Sequence, residues 1–226
     1  MANKALDFDG TDDRVQVSSS ATLDIGTGDL TIEAWVKTGL SSRGEVVERG
    51  NNVDNKGYVL YINATGEIDF GKVDGARLTS AGTVNDSAWH YIVGVRDGDY
   101  FRIYIDGVVD DNSLSGQSAL NFQDAGYALF IGIRSDLTTD YLGIIDEVRI
   151  SDVARTAGEI SANWNSGNGK RLEVDGNTLS LWHMNEGANS TAYDETANDN
   201  DGTIIGASWV DGFPFPTGRS FGYIIG

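Results

Sequence analysis

The chain has 226 residues and carries 34 acidic against 16 basic side chains, a net charge of −18, with no cysteine. That excess repels phosphate backbones and anionic lipid surfaces, which argues against nucleic-acid binding, and without cysteine there is no disulfide scaffold, thiolate metal site or cysteine nucleophile. Hydrophobic residues at 40% and aromatics at 10% supply a proper core, no apolar run approaches the roughly 20 residues of a membrane-spanning helix, and no Lys/Arg-led signal segment opens the chain at Met1.

The acids are mostly Asp, 25 against 9 Glu, beside 29 Gly and 16 Asn, a turn-rich composition that predicts sheet rather than helix. Short apolar or alternating runs recur between these breaks: Leu30–Lys37, Tyr58–Ile62, Glu67–Val73, Trp89–Val95, Tyr100–Ile105, Tyr127–Ile133 and Leu142–Ile150. Period-2 patterning with β-branched and aromatic residues predicts antiparallel strands. Asp106-Gly107 marks a two-residue hairpin turn, since both residues tolerate positive φ. One helix is predicted where Thr156 and Glu159 form a capping-box pattern and Ile160 and Trp164 share a face. Beyond it, Leu179–His183, Thr203–Ile205, Ala207–Val210 and Phe221–Ile225 are strand-like, but too few for a core of their own, so they complete the first sandwich or pair with another chain.

In order, ALDFDGTDDRV (5–15), LTIEAWVK (30–37), WHYIVGVRDGDYFRIYIDG (89–107) and GIIDEVRISDVART (143–156) resemble the concanavalin A-like lectin/glucanase superfamily, in particular its laminin-G-like jelly-roll branch. The resemblance covers roughly Ala5 to Trp164 and implies an all-β fold, a two-sheet antiparallel jelly-roll sandwich with one short helix. The expected organisation is a single domain over 1–226, with a main sandwich over 1–165 and C-terminal strands over 178–226. The later LWHMNEG (181–187), Tyr193-Asp194 and Asp201-Gly202-Thr203 are similar to the family's opening strand and loop but follow the helix. Either the domain is circularly permuted or this segment begins a next repeat; the first leaves less exposed strand edge.

The family includes retaining glucanases, which resemble a pattern of Glu-x-Asp with a second Glu one or two positions on. Glu67-Ile68-Asp69-Phe70 supplies the first half, but Gly71 and Lys72 stand where the acid/base Glu belongs. Without a proton donor for the leaving group no catalytic residue is assigned, and the chain is expected not to be an enzyme. Glu67 and Asp69 are expected to face solvent. His90 and His183 sit in strands beside aromatics, there is no Gly-x-Ser-x-Gly elbow, and no glycine loop opens a helix to cradle phosphate.

Calcium is the expected cofactor. Asp9, Asp12 and Asp13 crowd one turn, and Asp146 lies in a nearly apolar strand where an unpaired carboxylate is expensive. The resemblance implies that the first turn and the late strand meet at a structural Ca²⁺, held by Asp9, Asp12 and Asp146 with Asp13 as an outer member. The alternative is an Asx-type turn with Asp146 paired to Arg149 or Arg14. Asp194, Asp199 and Asp201 lack EF-hand spacing and fit a hairpin loop.

Sugars stack on aromatic faces and hydrogen-bond to Asn, Asp and Arg. Rim loops before Tyr58 and over 134–141 offer Arg49, Asn51, Asn52, Tyr58, Arg134 and Tyr141, while Trp35 and Trp164 match core positions of the family. The expected function is a non-catalytic, lectin-like carbohydrate-binding module with a structural calcium, its partner a glycan or cell-surface polysaccharide, placed outside the cell, at a cell surface or on a virion. The alternative is a structural or adhesive module that holds protein partners or neighbouring repeats without binding sugar.

Overall fold

A computed structural model describes residues 3–51 and 53–216. Among the described residues two eight-stranded sheets face one another, and every strand pairing is antiparallel. The first sheet holds β1 (Lys4–Asp9), β3 (Leu30–Lys37), β8 (Trp89–Asp97), β9 (Tyr100–Ile105), β10 (Val108–Leu114), β12 (Leu142–Ser151), β13 (Thr178–Trp182) and β16 (Ser208–Asp211). Its order is β10-β9-β8-β3-β12-β1-β16, with β13 on β12 beyond the end of β1. The second holds β2 (Arg14–Val17), β4 (Gly44–Asn51), β5 (Lys56–Ile62), β6 (Glu67–Lys72), β7 (Arg77–Thr83), β11 (Leu129–Ile131), β14 (Thr191–Ala192) and β15 (Gly202–Ile205), ordered β14-β15-β2-β11-β4-β5-β6-β7. The expected jelly-roll sandwich is present, and its C-terminal strands lie within both sheets: β13 on β12, β15 on β2 and β16 on β1. Phe221–Ile225 lies outside the described residues.

Alternation explains β3. Leu30, Ile32, Ala34 and Val36 enter the core between the sheets, where they meet Phe8, Phe70 and Trp182. Thr31, Glu33 and Trp35 point the other way, yet they are buried too. A second apolar layer covers them, formed by the sheet residues Trp35, Tyr91 and Leu181 with Ile160, Leu172 and Phe213 from above. Helix α1 (Ala157–Trp164) starts on the expected capping box, with Thr156 and Glu159 satisfying each other's backbone amides. It buries Ile160 and stacks Trp164 on Trp35 at 5.4 Å between centroids. Trp35 and Trp164 are therefore structural, and each such ring pair adds about 0.5–1.5 kcal/mol beyond area burial. Asp106 and Gly107, at φ 53° and 76°, make the expected hairpin turn between β9 and β10. Among the described residues no helix is long and apolar enough to cross a membrane.

Candidate functional site

The expected calcium ligands do not converge. Asp9 pairs across the sheet with Leu142, whereas Asp146 lies four residues further along β12, roughly 13 Å at a rise of ~3.3 Å per residue. Asp146 sits on the outer face of the first sheet, fully buried, with one carboxylate oxygen accepting from Asn3 Nδ2 (2.6 Å) and the Phe213 amide (2.9 Å). Burial, then the adjacent Glu147, pushes its carboxyl well above the usual carboxylate range. Neither expected ion pair forms: Arg149 binds Glu33, and Arg14 donates to the Asp12 carbonyl. The acidic turn closes on itself, with Asp9 Oδ1 accepting from Thr11 (2.7 Å) and Asp13 Oδ2 from the Asp9 amide (2.8 Å). Asp140 Oδ1 accepts from the Asp12 amide at 3.0 Å. Among the described residues no group of three or more His, Asp or Glu side chains is arranged to hold a metal. The Asx-turn alternative describes this turn, and the three carboxylates as placed do not fit a common Ca²⁺. Asp194 likewise organises its own loop, accepting from the amides of Leu181, Thr196 and Asn200 at 3.0 Å each.

The expected sugar-binding residues do not form one site either. The run over 44–51 is not a loop but β4, in the middle of the second sheet. Arg49 is fully buried there, tied to Asp24, the Ser20 carbonyl (2.9 Å) and the Asp124 carbonyl (3.2 Å). Tyr58 and Tyr141 are core rings, edge-on to Phe122 and Phe8. Asn51 closes a turn by accepting from the Val53 amide at 2.8 Å, and Asn52 lies outside the described residues. Arg134 lies between Asp74 (3.3 Å) and Asp136 (3.7 Å). Arg49 and Tyr58 turn inward because backbone carbonyls satisfy them there, those of Ser20 and Asp124 for Arg49 and that of Leu23 for Tyr58.

The outer face of the second sheet carries charge that the sequence does not advertise. A register shift after Glu45 lets Glu45 and Glu48 of β4 both lie beneath Arg43 and Arg134. Glu45 is fully buried against Arg43, whose guanidinium covers the Tyr61 ring at 3.8 Å. Burial outweighs that partner and raises the Glu45 carboxyl to about 7. Asp69, expected in solvent, is buried and accepts from Thr79 Oγ1 (2.6 Å) and Asn63 Nδ2 (3.0 Å), while Ile68 and Phe70 are core as expected. Glu67 accepts from Asn63 Nδ2 (3.0 Å) and Thr65 Oγ1 (2.8 Å), and Lys72 donates to the Asn121 carbonyl at 2.8 Å.

A recess lies over the outer face of the first sheet. It is a cleft of about 970 Å³ between the arm 211–216, which follows β16, and the segment 165–173 that follows α1. Phe213 packs on Trp35 with centroids 3.9 Å apart, and Phe215 leans on both rings at 4.8 and 5.7 Å. Gly169 makes this approach possible: at φ 66°, a Cβ there would lie 2.5 Å from the Phe213 ring. Around these rings stand Asn3, Asn165, Asn185 and Lys170. Asn185 accepts from the Lys4 amide through Oδ1 (2.7 Å), which leaves its buried Nδ2 without a partner. A smaller cavity of about 490 Å³ adjoins, with Arg171 and Glu173 shared between the two and His183 and Glu195 in its wall. None of this recess follows from a sequence motif; the FPFP run at 213–216 and the Asn–Gly–Lys–Arg run at 168–171 are the signals that mark it.

Among solved structures, a Bacteroides ovatus protein provisionally assigned as carbohydrate-binding superposes with a TM-score of 0.71 at 16% identity, covering 93% of this chain. This chain spans 60% of the length of that protein. The heptameric SAP-like pentraxin of Limulus polyphemus gives a TM-score of 0.60 at 16% identity, over 80% of this chain and 91% of that one. Domains LG4-5 of the mouse laminin α1 chain give 0.52 at 16% identity, over 67% and 41%. These likenesses are of fold. No curated protein matches the sequence. A laminin G-type family model matches residues 9–161, two thirds of the chain, and with the two-sheet sandwich around it this places the chain in the concanavalin A-like lectin/glucanases superfamily.

Proposed function

We propose that this chain is a non-catalytic carbohydrate-binding module, acting outside the cell, that holds a glycan in the cleft between 165–173 and 211–216. The observation that carries the reading is the lining of that cleft, where the partly exposed Phe215 ring, backed by the buried Phe213, stands beside three Asn side chains, one with an unpartnered buried amide. Ring faces for the apolar side of a pyranose and oriented amides for its hydroxyls are what sugar recognition uses. The Bacteroides ovatus assignment supports the same ligand class. Catalysis is not part of the reading, because Gly71 and Lys72 stand where the family's acid/base Glu belongs. Calcium is not part of it either, because Asp146 is held away from Asp9 and Asp12. One observation favours a protein-interaction role instead: Val108 and Val109 are exposed on edge strand β10.

A glycan array run with the wild-type chain, Phe215→Ala and Asn185→Ala tests the proposal. Binding by the wild type that falls at least tenfold in both variants, with melting temperatures held, is the expected result. An array on which the wild type binds nothing, or binding that neither variant changes, would overturn it.

A further inference from the structure

We propose that the glycan site does not end at the large cleft but continues over Arg171 into the smaller cavity, so that the module binds internal stretches of a linear oligosaccharide across two subsites. The inference rests on the glycan-binding reading above and adds the form of the ligand to it. Its basis is the geometry around one carboxylate. A bulge in β12 between Asp146 and Arg149 gives Glu147 a φ of 52° and turns two consecutive acids to the outer face. The buried Glu147 side chain then organises three groups at once. Its oxygens accept from His183 Nδ1 at 2.7–2.8 Å and from the Leu172 amide at 3.1 Å, and they lie 3.4 Å from Arg171 Nε.

Each of these contacts fixes something a ligand would meet. Arg171 is half exposed and lines both cavities, so its remaining guanidinium N–H groups face the saddle between them. Holding Nε fixes the plane of the fork, which lowers the ordering cost of a hydrogen bond to a hydroxyl or ring oxygen. Because a carboxylate only accepts, His183 donates from Nδ1, and its Nε2 edge is left beside the second cavity. The saddle therefore offers a donor fork and, next to it, the polar edge of an imidazole. Both recesses lie within or close to the roughly 300–1,000 Å³ usual for small-molecule sites. One sugar unit on either side of Arg171, joined by a glycosidic link above it, matches this layout. The flanking charges do not select an anion, since Glu173 and Glu195 stand beside Lys170 and Arg171. The ligand class is a neutral oligosaccharide.

Titration calorimetry with size series of one to six units from β-1,4-glucan, mannan and galactan tests this on the full chain. For a series that binds, affinity should rise at least tenfold between the monosaccharide and the tetrasaccharide. Arg171→Ala should abolish most of that gain, lowering tetrasaccharide affinity far more than monosaccharide affinity, and Glu195→Gln should weaken only the longer sugars. Affinity that is flat with chain length, or a chain-length gain that survives Arg171→Ala, overturns the two-subsite inference and leaves the large cleft as the whole site. If the wild type binds no member of any series, both the inference and the reading beneath it fail.

Discussion

Glu33 and Arg149 face each other across β3 and β12 as a bidentate pair, Nε to Oε2 at 2.6 Å and Nη2 to Oε1 at 2.8 Å, both side chains almost wholly out of water. Tyr91 OH and Asn163 Nδ2 also donate to Glu33, and Arg155 Nε lies 3.4 Å away. Through Asn163 the pair joins α1 to the sheet, and through the Glu173 carbonyl, which Arg149 meets at 2.9 Å, it joins the segment that walls the cleft. Removing one partner strands the other charge in a low dielectric, so Glu33→Gln should cost about 3–5 kcal/mol in urea unfolding. A loss under 1 kcal/mol would show that the pair is not what fixes α1 and the cleft wall.

Stability should fall as pH rises from about 4.5 to 8. Glu45 has a carboxyl raised to about 7 in the folded chain against 4.5 as its ordinary value, so the native state binds a proton that the unfolded state releases. Glu48 and Asp146 are raised as well, mainly by burial, and carry the same sign. His90 is raised by its hydrogen bond to Asp106 and, as a base, also stabilises at low pH and loses that contribution through its folded pKa. Asp175, held low by Arg155, acts oppositely but only in more acidic solution. Glu45→Gln should flatten the decline by roughly 1–3 kcal/mol between pH 5 and 8. A melting curve indifferent to pH across that window would contradict the burial of Glu45.

Much of the fold is legible in the chain because local signals agree with it. LTIEAWVK alternates, Thr156 and Glu159 cap α1, and Asp106-Gly107 turns the β9–β10 hairpin. β4 is illegible for a physical reason: Glu45, Glu48 and Arg49 look like surface residues, and for Glu48 and Arg49 it is partners distant in sequence, Ser135 and Asp124, that make burial tolerable. The cleft is illegible for another. It exists because Gly169 lets Phe213 and Phe215 reach Trp35, a meeting of three segments that no local pattern encodes.

That dependence can be tested at Gly169. A methyl group there would meet the Phe213 ring at 2.5 Å on a left-handed backbone. Gly169→Ala should cost at least about 1 kcal/mol and displace the 213–216 arm, so glycan binding falls more than stability does. Unchanged binding would mean that the arm does not shape the site.

The last prediction concerns metal. The resemblance implies a calcium between Asp9, Asp12 and Asp146, and such a site would stabilise the chain by about 2.7 kcal/mol at 100 times Kd. The arrangement found here argues the reverse. Asp146 is on the outer face, one oxygen filled by Asn3 and the Phe213 amide, while the Asp9 and Asp13 carboxylates accept from amides of their own turn and Asp140 accepts from the Asp12 amide. EDTA should therefore leave the melting temperature unchanged, and added Ca²⁺ should not raise it. Asp146→Asn keeps an acceptor oxygen for Asn3 and Phe213 and removes a carboxyl that burial already disfavours in its charged form, so it should cost under about 1 kcal/mol. Asp146→Leu strands both donors and should cost about 1–3 kcal/mol each. A Ca²⁺-dependent rise in melting temperature that Asp146→Asn abolishes would require Asp146 to leave Asn3 and Phe213 and join the first turn, and would reinstate the calcium site.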